Sequence, residues 1–177
     1  ASDRPERIYR EEAEEIAIAL DPYKWYPQRT GRIDLVIERA KESGAGNDPV
    51  ARQEIAKLMI RSKCAEWLAR RARAAQAEGR PQGPEGSLGK LAASAIARQA
   101  NEVHTMISGA DAMLTGADSP RDGIIAEILV STPALSIAGG TDEIQKNIIA
   151  ERVLKMPKEP RSDTDRPFRD VPKNIVK

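Results

Sequence analysis

Hydrophobic residues recur every three to four positions along most of the chain, as they do on one face of an amphipathic helix. Breaks rich in glycine or proline at 44–47 and 79–86 separate these stretches, and no stretch alternates as a strand would. The pattern predicts an all-α fold, an up-down helical bundle with short connections. Helices are expected over 5–20, over 30–43, from 49 to the break at 79, over 87–113, from 120 onward, and from 141 to just before 157.

The distribution of proline and charge predicts one domain and a tail. We expect residues 1–156 to form the helical bundle domain, in which 1–29 hold a first helix and an aromatic joint, and 30–156 form the main bundle. Residues 157–177 are rich in proline and charge, and they are expected to form an extended C-terminal tail. The aromatic joint is the short cluster of Tyr23, Trp25 and Tyr26.

The long stretch that begins at residue 48 carries a clear helix signal. Asp48 is expected to cap this helix, with Pro49 at its first position. The apolar face predicted for the helix consists of Val50, Ile55, Leu58, Met59 and Leu68.

Composition narrows the classes of function. Of the 177 residues only 3% are aromatic, which favours helices over an all-β fold. The net charge of +1, without basic clusters between aromatics, argues against nucleic-acid binding. The single cysteine, Cys64, excludes a disulfide framework and a cysteine-rich metal site, so no metal is expected. No apolar run of membrane-spanning length and no secretory signal are evident, which predicts a cytoplasmic protein without a membrane partner.

The most informative segment is 137–154, where two glycines precede a polar residue and a helical run. Gly139 and Gly140 allow a close backbone approach, and Thr141 can cap the helix that follows. Asp142 and Glu143 in the first turn weaken a phosphate interpretation, because a phosphate would meet two carboxylates. From the residues alone, both a ligand contact and an ordinary turn with an N-cap remain open.

The run 137–157 resembles the signature of the acyl-CoA dehydrogenases, and the helix rhythm from 48 to 154 resembles the C-terminal helical domain of that family. The resemblance implies FAD as cofactor, oxidation of an acyl-CoA to the 2,3-enoyl-CoA, an electron-transfer flavoprotein or similar acceptor, and a homo- or hetero-tetramer. It also implies that Thr141, Asp142 and Glu143 line the flavin and that Gly140 approaches the thioester. The two other domains of the family are not evident here, so we expect the chain to be a fragment that is inactive alone.

The catalytic base departs from the commonest pattern of the family. Many members carry a glutamate where this chain has Gly139, which cannot act as a base. Other members place the glutamate on the first helix of this domain. By that resemblance the base is expected at Glu15, with Glu14 as the alternate because a gap of one residue would exchange them.

Two other interpretations stay open. Lys41 stands near the position of a family arginine, and only Gly109 remains of a glycine-rich turn that contacts flavin in the family, with Asp111 beside it. Together with Gly139, these departures suit a non-catalytic subunit of a hetero-oligomeric enzyme. The third interpretation is a helical interaction module that has kept only the fold. His104, the one histidine, is expected to be structural.

Overall fold

The computed structural model describes residues 29–158, apart from Gln82 and Asp118, together with residues 167–171 and the single positions Ala13 and Ala17. This part of the chain contains α-helices and short 3-10 turns and no strand, which confirms the all-α prediction. The α-helices are α1 (Ile33–Glu42), α2 (Pro49–Ala77), α3 (Glu85–Ser108), α4 (Ile124–Ile137) and α5 (Asp142–Ile148), and α5 continues into a π-helical turn at Ile149–Val153.

Helix α3 lies at the centre and contacts each of the other four α-helices. Helices α2 and α3 pack as an antiparallel hairpin, because their connection is short and their residues meet in opposite order along the two helices. One core cluster joins α1, α2 and α3, and the large, fully buried side chains of α4 extend it. The buried apolar residues of that cluster are Val36, Ala40, Ala51, Leu58, Ala100, Val103 and Ile107, and those of α4 are Ile125 and Ile128.

Helix α2 begins as predicted. The Asp48 carboxylate accepts hydrogen bonds from the Val50 and Ala51 amides, and Pro49 occupies the first helical position. The predicted apolar face is only partly correct. Leu58 is fully buried, but Val50 and Met59 are about half exposed or more, because α2 packs through a narrow strip and turns its second apolar strip outward.

Two predicted helix boundaries are wrong. Helix α3 ends at Ser108 and not at 113, because Gly109 adopts a positive φ of 57° with ψ of −135°, a conformation that breaks the helix. A 3-10 turn, Gly109–Met113, follows. Helix α1 begins at Ile33 and not at 30, since Gly31 turns the chain with φ of 76°.

By length and composition alone, the segment Pro120–Val153 is apolar enough to cross a membrane, so the prediction of no apolar run of that length is wrong. The fold divides the segment, because Gly139 and Gly140 separate α4 from α5. Helix α4 alone has 14 residues, about 21 Å at 1.5 Å per residue, which is shorter than a bilayer core.

Several predictions fall outside the described residues. These are the candidate bases Glu15 and Glu14, the aromatic joint, and most of the tail. Within the tail, Phe168–Asp170 forms a 3-10 turn and Phe168 is almost fully exposed. The domain boundaries at 29, 30, 156 and 157 lie within the described residues, but no observation tests them and they stay predictions.

Candidate functional site

The junction, defined as residues 138–141, connects the end of α4 to the start of α5. Ala138 and Thr141 are extended, whereas Gly139 and Gly140 have φ of 68° and 91°. Such φ values favour glycine, because a Cβ clashes with the backbone in this region. The two glycines therefore turn the chain sharply and leave bare backbone in front of α5.

Thr141 caps α5 as the sequence predicted. Its hydroxyl oxygen accepts a hydrogen bond from the Ile144 amide at 3.3 Å. The Gln145 side chain folds back, and its Nε2 donates to the Gly139 carbonyl at 3.1 Å. A Cβ at Gly139 would meet no atom within 4 Å, which means that the space beside this backbone is open to a ligand.

Asp142, at the first position of α5, is buried and bound by two cations from α3. Lys90 Nζ donates to its Oδ1 at 2.9 Å and Arg98 Nη1 donates to its Oδ2 at 2.7 Å. Burial by itself raises the pKa of this carboxyl, but the hydrogen bonds from Lys90 and then Arg98 outweigh it and hold the pKa below its usual range. Asp142 is therefore ionised at neutral pH and engaged within the protein.

The same face of α3 holds the end of α4. Lys90, Ser94 and Arg98 recur every four residues and form the α3 stripe. Ser94 Oγ donates to the Leu135 carbonyl at 2.9 Å, and Arg98 donates to the Ser136 hydroxyl. The stripe thus binds the chain on both sides of the junction.

The predicted site residues lie in different surroundings. Gly140 and Thr141 are half-buried in the junction, and Glu143 is exposed one residue after Asp142. Open space lies beside the Gly139 backbone, whereas a Cβ at Gly140 would meet Gln145 Nε2 at 2.9 Å. Both oxygens of Asp142 already accept bonds from α3, so its flavin contact remains a prediction.

The two other segments in which the chain departs from the family pattern are neighbours in space. Arg39 of α1 donates from Nε to Ser108 Oγ at 2.9 Å, and its Nη2 lies 3.6 Å from Asp111 Oδ2. The Asp111 carboxylate is thus paired, although it remains half exposed. Lys41 lies exposed near the end of the same helix.

His104 is 1% exposed and neither ring nitrogen has a hydrogen-bond partner in the described part of the chain. Burial, followed by the positive charges of Arg121 and Arg39, lowers its pKa to about 4. A neutral, enclosed imidazole agrees with the structural role expected from the sequence. Among the described residues no three His, Cys, Asp or Glu side chains are grouped to hold a metal.

Sequence reasoning missed Lys90, Ser94 and Arg98. Their spacing of four residues on a mostly apolar helix was the available signal, because it places three polar side chains on one face. Nothing local indicated their partners, since Asp142 lies 52 positions from Lys90.

In this all-α bundle, a glycine turn with open space beside Gly139 precedes α5. Residues 31–154 match the family model described as "Acyl-CoA dehydrogenase, C-terminal domain". The chain belongs to the acyl-CoA dehydrogenase family.

Known relatives and solved structures agree with this assignment. The chain is 29% identical over 136 residues to acyl-CoA dehydrogenase IpdE1 of Mycobacterium tuberculosis strain ATCC 25618 / H37Rv, an alignment that covers 72% of this chain and 32% of that protein. Its fold is similar to that of the Tcur3481-Tcur3483 steroid ACAD, with a TM-score of 0.63, 18% identity, and coverage of 72% of this chain and 34% of that one.

It is also similar to the ChsE4-ChsE5 complex from Mycobacterium tuberculosis, with a TM-score of 0.56, 18% identity, and coverage of 64% of this chain and 30% of that one. The chain thus spans about a third of the length of the proteins it matches.

Proposed function

We propose that this chain is the C-terminal helical part of an FAD-dependent acyl-CoA dehydrogenase, which oxidises an acyl-CoA thioester to the 2,3-enoyl-CoA. The observation that carries the proposal is the combination of the family match over 31–154 with the open space beside the Gly139 backbone at the junction. Thr141 and Glu143 would border the flavin, and Gly140 would lie against the thioester. The flavin, when bound, supplies the hydride acceptor for this chemistry.

The residues of this chain would contribute position and polarity. Bare backbone at Gly140 can approach a thioester closely, and backbone dipoles aimed at a carbonyl oxygen make the adjacent proton more acidic. Gly139 has no side chain that could hold this proton. The proton therefore goes, in this proposal, to Glu15 or its alternate Glu14 as general base.

The proposal takes its substrate class and assembly from the names of similar structures. A similar structure is titled a steroid ACAD and another is a complex of two chain types. We extend this to a bulky polycyclic acyl-CoA as substrate and to a hetero-oligomer, which is a tetramer by family resemblance. By the same resemblance, the enzyme passes electrons to an electron-transfer flavoprotein or similar acceptor. A fatty acyl-CoA and a homo-tetramer are the competing options, and the cytoplasmic location stays a prediction.

A second candidate function is the non-catalytic subunit of such a hetero-oligomer. Gly139 favours it, because a side chain that could act as base is missing from the junction. The pairing of Asp111 with Arg39 favours it as well, since a carboxylate occupies the turn where the family contacts flavin.

The decisive experiment uses the complete protein together with any partner chain. We expect purified protein with flavin absorbance, turnover of a polycyclic acyl-CoA with an artificial electron acceptor, and no turnover by residues 1–177 alone. Loss of turnover in Glu15→Gln or Glu14→Gln, with Glu102→Gln as the exposed control on α3, would assign the base.

If neither glutamine variant changes turnover, the base is neither Glu15 nor Glu14 and the non-catalytic subunit gains support. A colourless complete protein without turnover would support the interaction module.

A further inference from the structure

The junction needs an external support, because its own sequence does not fix its shape. Gly139 and Gly140 are both in the positive-φ region, where glycine has many accessible conformations. Backbone hydrogen bonds tie Ala138 to Ala134 and Thr141 to Gln145 at its two ends. Between those ends, the bonds are the Thr141 cap and the Gln145 bond to the Gly139 carbonyl. A backbone contact to a ligand requires a position defined to a fraction of an ångström.

The α3 stripe supplies that support. On the α4 side, Ser94 binds the Leu135 carbonyl. On the α5 side, Lys90 and Arg98 bind the two oxygens of Asp142. Because Lys90, Ser94 and Arg98 stand on consecutive turns of one helix, both ends of the junction are fixed to the same rigid element.

Asp142 is directed towards the protein and not towards the open side of the junction. Its side chain is 8% exposed, and each of its oxygens accepts a bond from a cation of α3. Its neighbour Glu143 is exposed and has no such pairing among the described contacts. Two adjacent carboxylates therefore have different surroundings, and only that of Asp142 joins the junction to α3.

We propose that Asp142 is a positioning residue, which holds the Gly139–Gly140 backbone at a defined distance from α3 through Lys90 and Arg98. The catalytic consequence of this positioning rests on the proposed function, in which this backbone contacts flavin and thioester. The positioning itself is a property of the polypeptide and is measurable without ligand.

Hydrogen exchange of the complete, flavin-free protein tests the positioning directly. Asp142→Asn removes the charge but keeps the size, and Asp34→Asn is the matched control, an exposed first-turn aspartate of α1 paired with Arg32. We expect exchange at residues 139–144 to be about tenfold faster or more in Asp142→Asn, with α2 and α3 unchanged. Asp34→Asn should leave the junction at the wild-type rate.

Rescue and coupling separate positioning from a general loss of stability. Lys90→Arg keeps a cation and should keep slow exchange, whereas Lys90→Met should accelerate it. Combining Lys90→Met with Asp142→Asn should add little to Asp142→Asn alone, because both remove the same contact.

Turnover distinguishes failure of this inference from failure of the proposed function. Fast exchange confined to the junction, with kcat at least about tenfold lower and a smaller change in KM, supports both. A second outcome is the same fast exchange in Asp142→Asn, but a wild-type protein with neither flavin nor turnover. That result supports the positioning role and overturns the proposed function. Unchanged exchange at the junction, or equal acceleration throughout the chain, overturns the positioning role.

Discussion

Arg121 and Glu42 form a bidentate ion pair across 79 positions of sequence, with Nη2 2.6 Å and Nε 3.0 Å from Glu42 Oε1. The third nitrogen of Arg121, Nη1, lies 2.7 Å from Glu38 Oε2, one helical turn earlier on α1. One guanidinium therefore joins the outer face of α1 to the turn before α4. These contacts accompany an unusual backbone, since Arg121 has φ of 54° in the left-handed region.

Arg121→Lys is expected to lower the free energy of unfolding by about 1 kcal/mol, because an ammonium cannot bind both carboxylates in the geometry of the planar guanidinium. Chemical denaturation at neutral pH measures this change. Arg70→Lys is the control, since Arg70 and Glu66 form an exposed pair along α2 whose replacement should cost much less. Equal losses of unfolding free energy in both variants would contradict a special role for the contacts of the Arg121 guanidinium with Glu42 and Glu38.

The two glycines of the junction should respond differently to alanine. Gly139→Ala adds a Cβ into open space and carries only the backbone penalty of a positive φ, about 1 kcal/mol. Gly140→Ala carries the same penalty and also brings its Cβ to 2.9 Å from Gln145 Nε2, which displaces the bond to the Gly139 carbonyl.

We therefore expect Gly140→Ala to lose about 1 kcal/mol more than Gly139→Ala in thermal or urea unfolding. Gln145→Ala provides the cross-check, because in that background the two alanine variants should become similar. A persistent difference there would mean that the Gln145 contact is not its cause.

The sequence predicted correctly those features that depend on neighbouring residues, such as helix caps. The caps at Asp48 and Thr141 depend on residues two or three positions away, so they were legible in the sequence. Periodicity could not tell which apolar strip of α2 packs inward, and Val50 was wrongly placed in the core. The partners of Asp142 were out of reach for the same reason, since chain folding alone brings Lys90 to it.

The cap of α2 offers a test of local stability away from the junction. Asp48→Ala removes the acceptor of the Val50 and Ala51 amides and should lower the free energy of unfolding by about 1 kcal/mol. Asp48→Asn keeps an acceptor oxygen and should cost much less. Helical content by circular dichroism through a denaturant series measures both, and an equal cost for the two variants would point to charge and not to capping.

His104 should make stability depend on pH below neutrality. Its folded pKa of about 4 lies below the usual histidine pKa of 6.5, so the unfolded chain takes up a proton more readily. The contribution of the neutral His104 to the free energy of unfolding is complete above about pH 6.5. It is lost as the pH falls towards 4, by up to about 3 kcal/mol at about 1.4 kcal/mol per pKa unit. The cause is burial first, and then the positive charges of Arg121 and Arg39, which disfavour the imidazolium.

His104→Met removes the titrating group and keeps an apolar side chain of adaptable shape. The difference in unfolding free energy between wild type and His104→Met should shift in favour of the variant by up to about 3 kcal/mol between pH 7 and pH 4. Taking this difference cancels the contribution of Glu42, which is paired with Arg121 near the imidazole and is present in both proteins. A difference that stays constant over this range would mean that His104 can be protonated without opening the bundle.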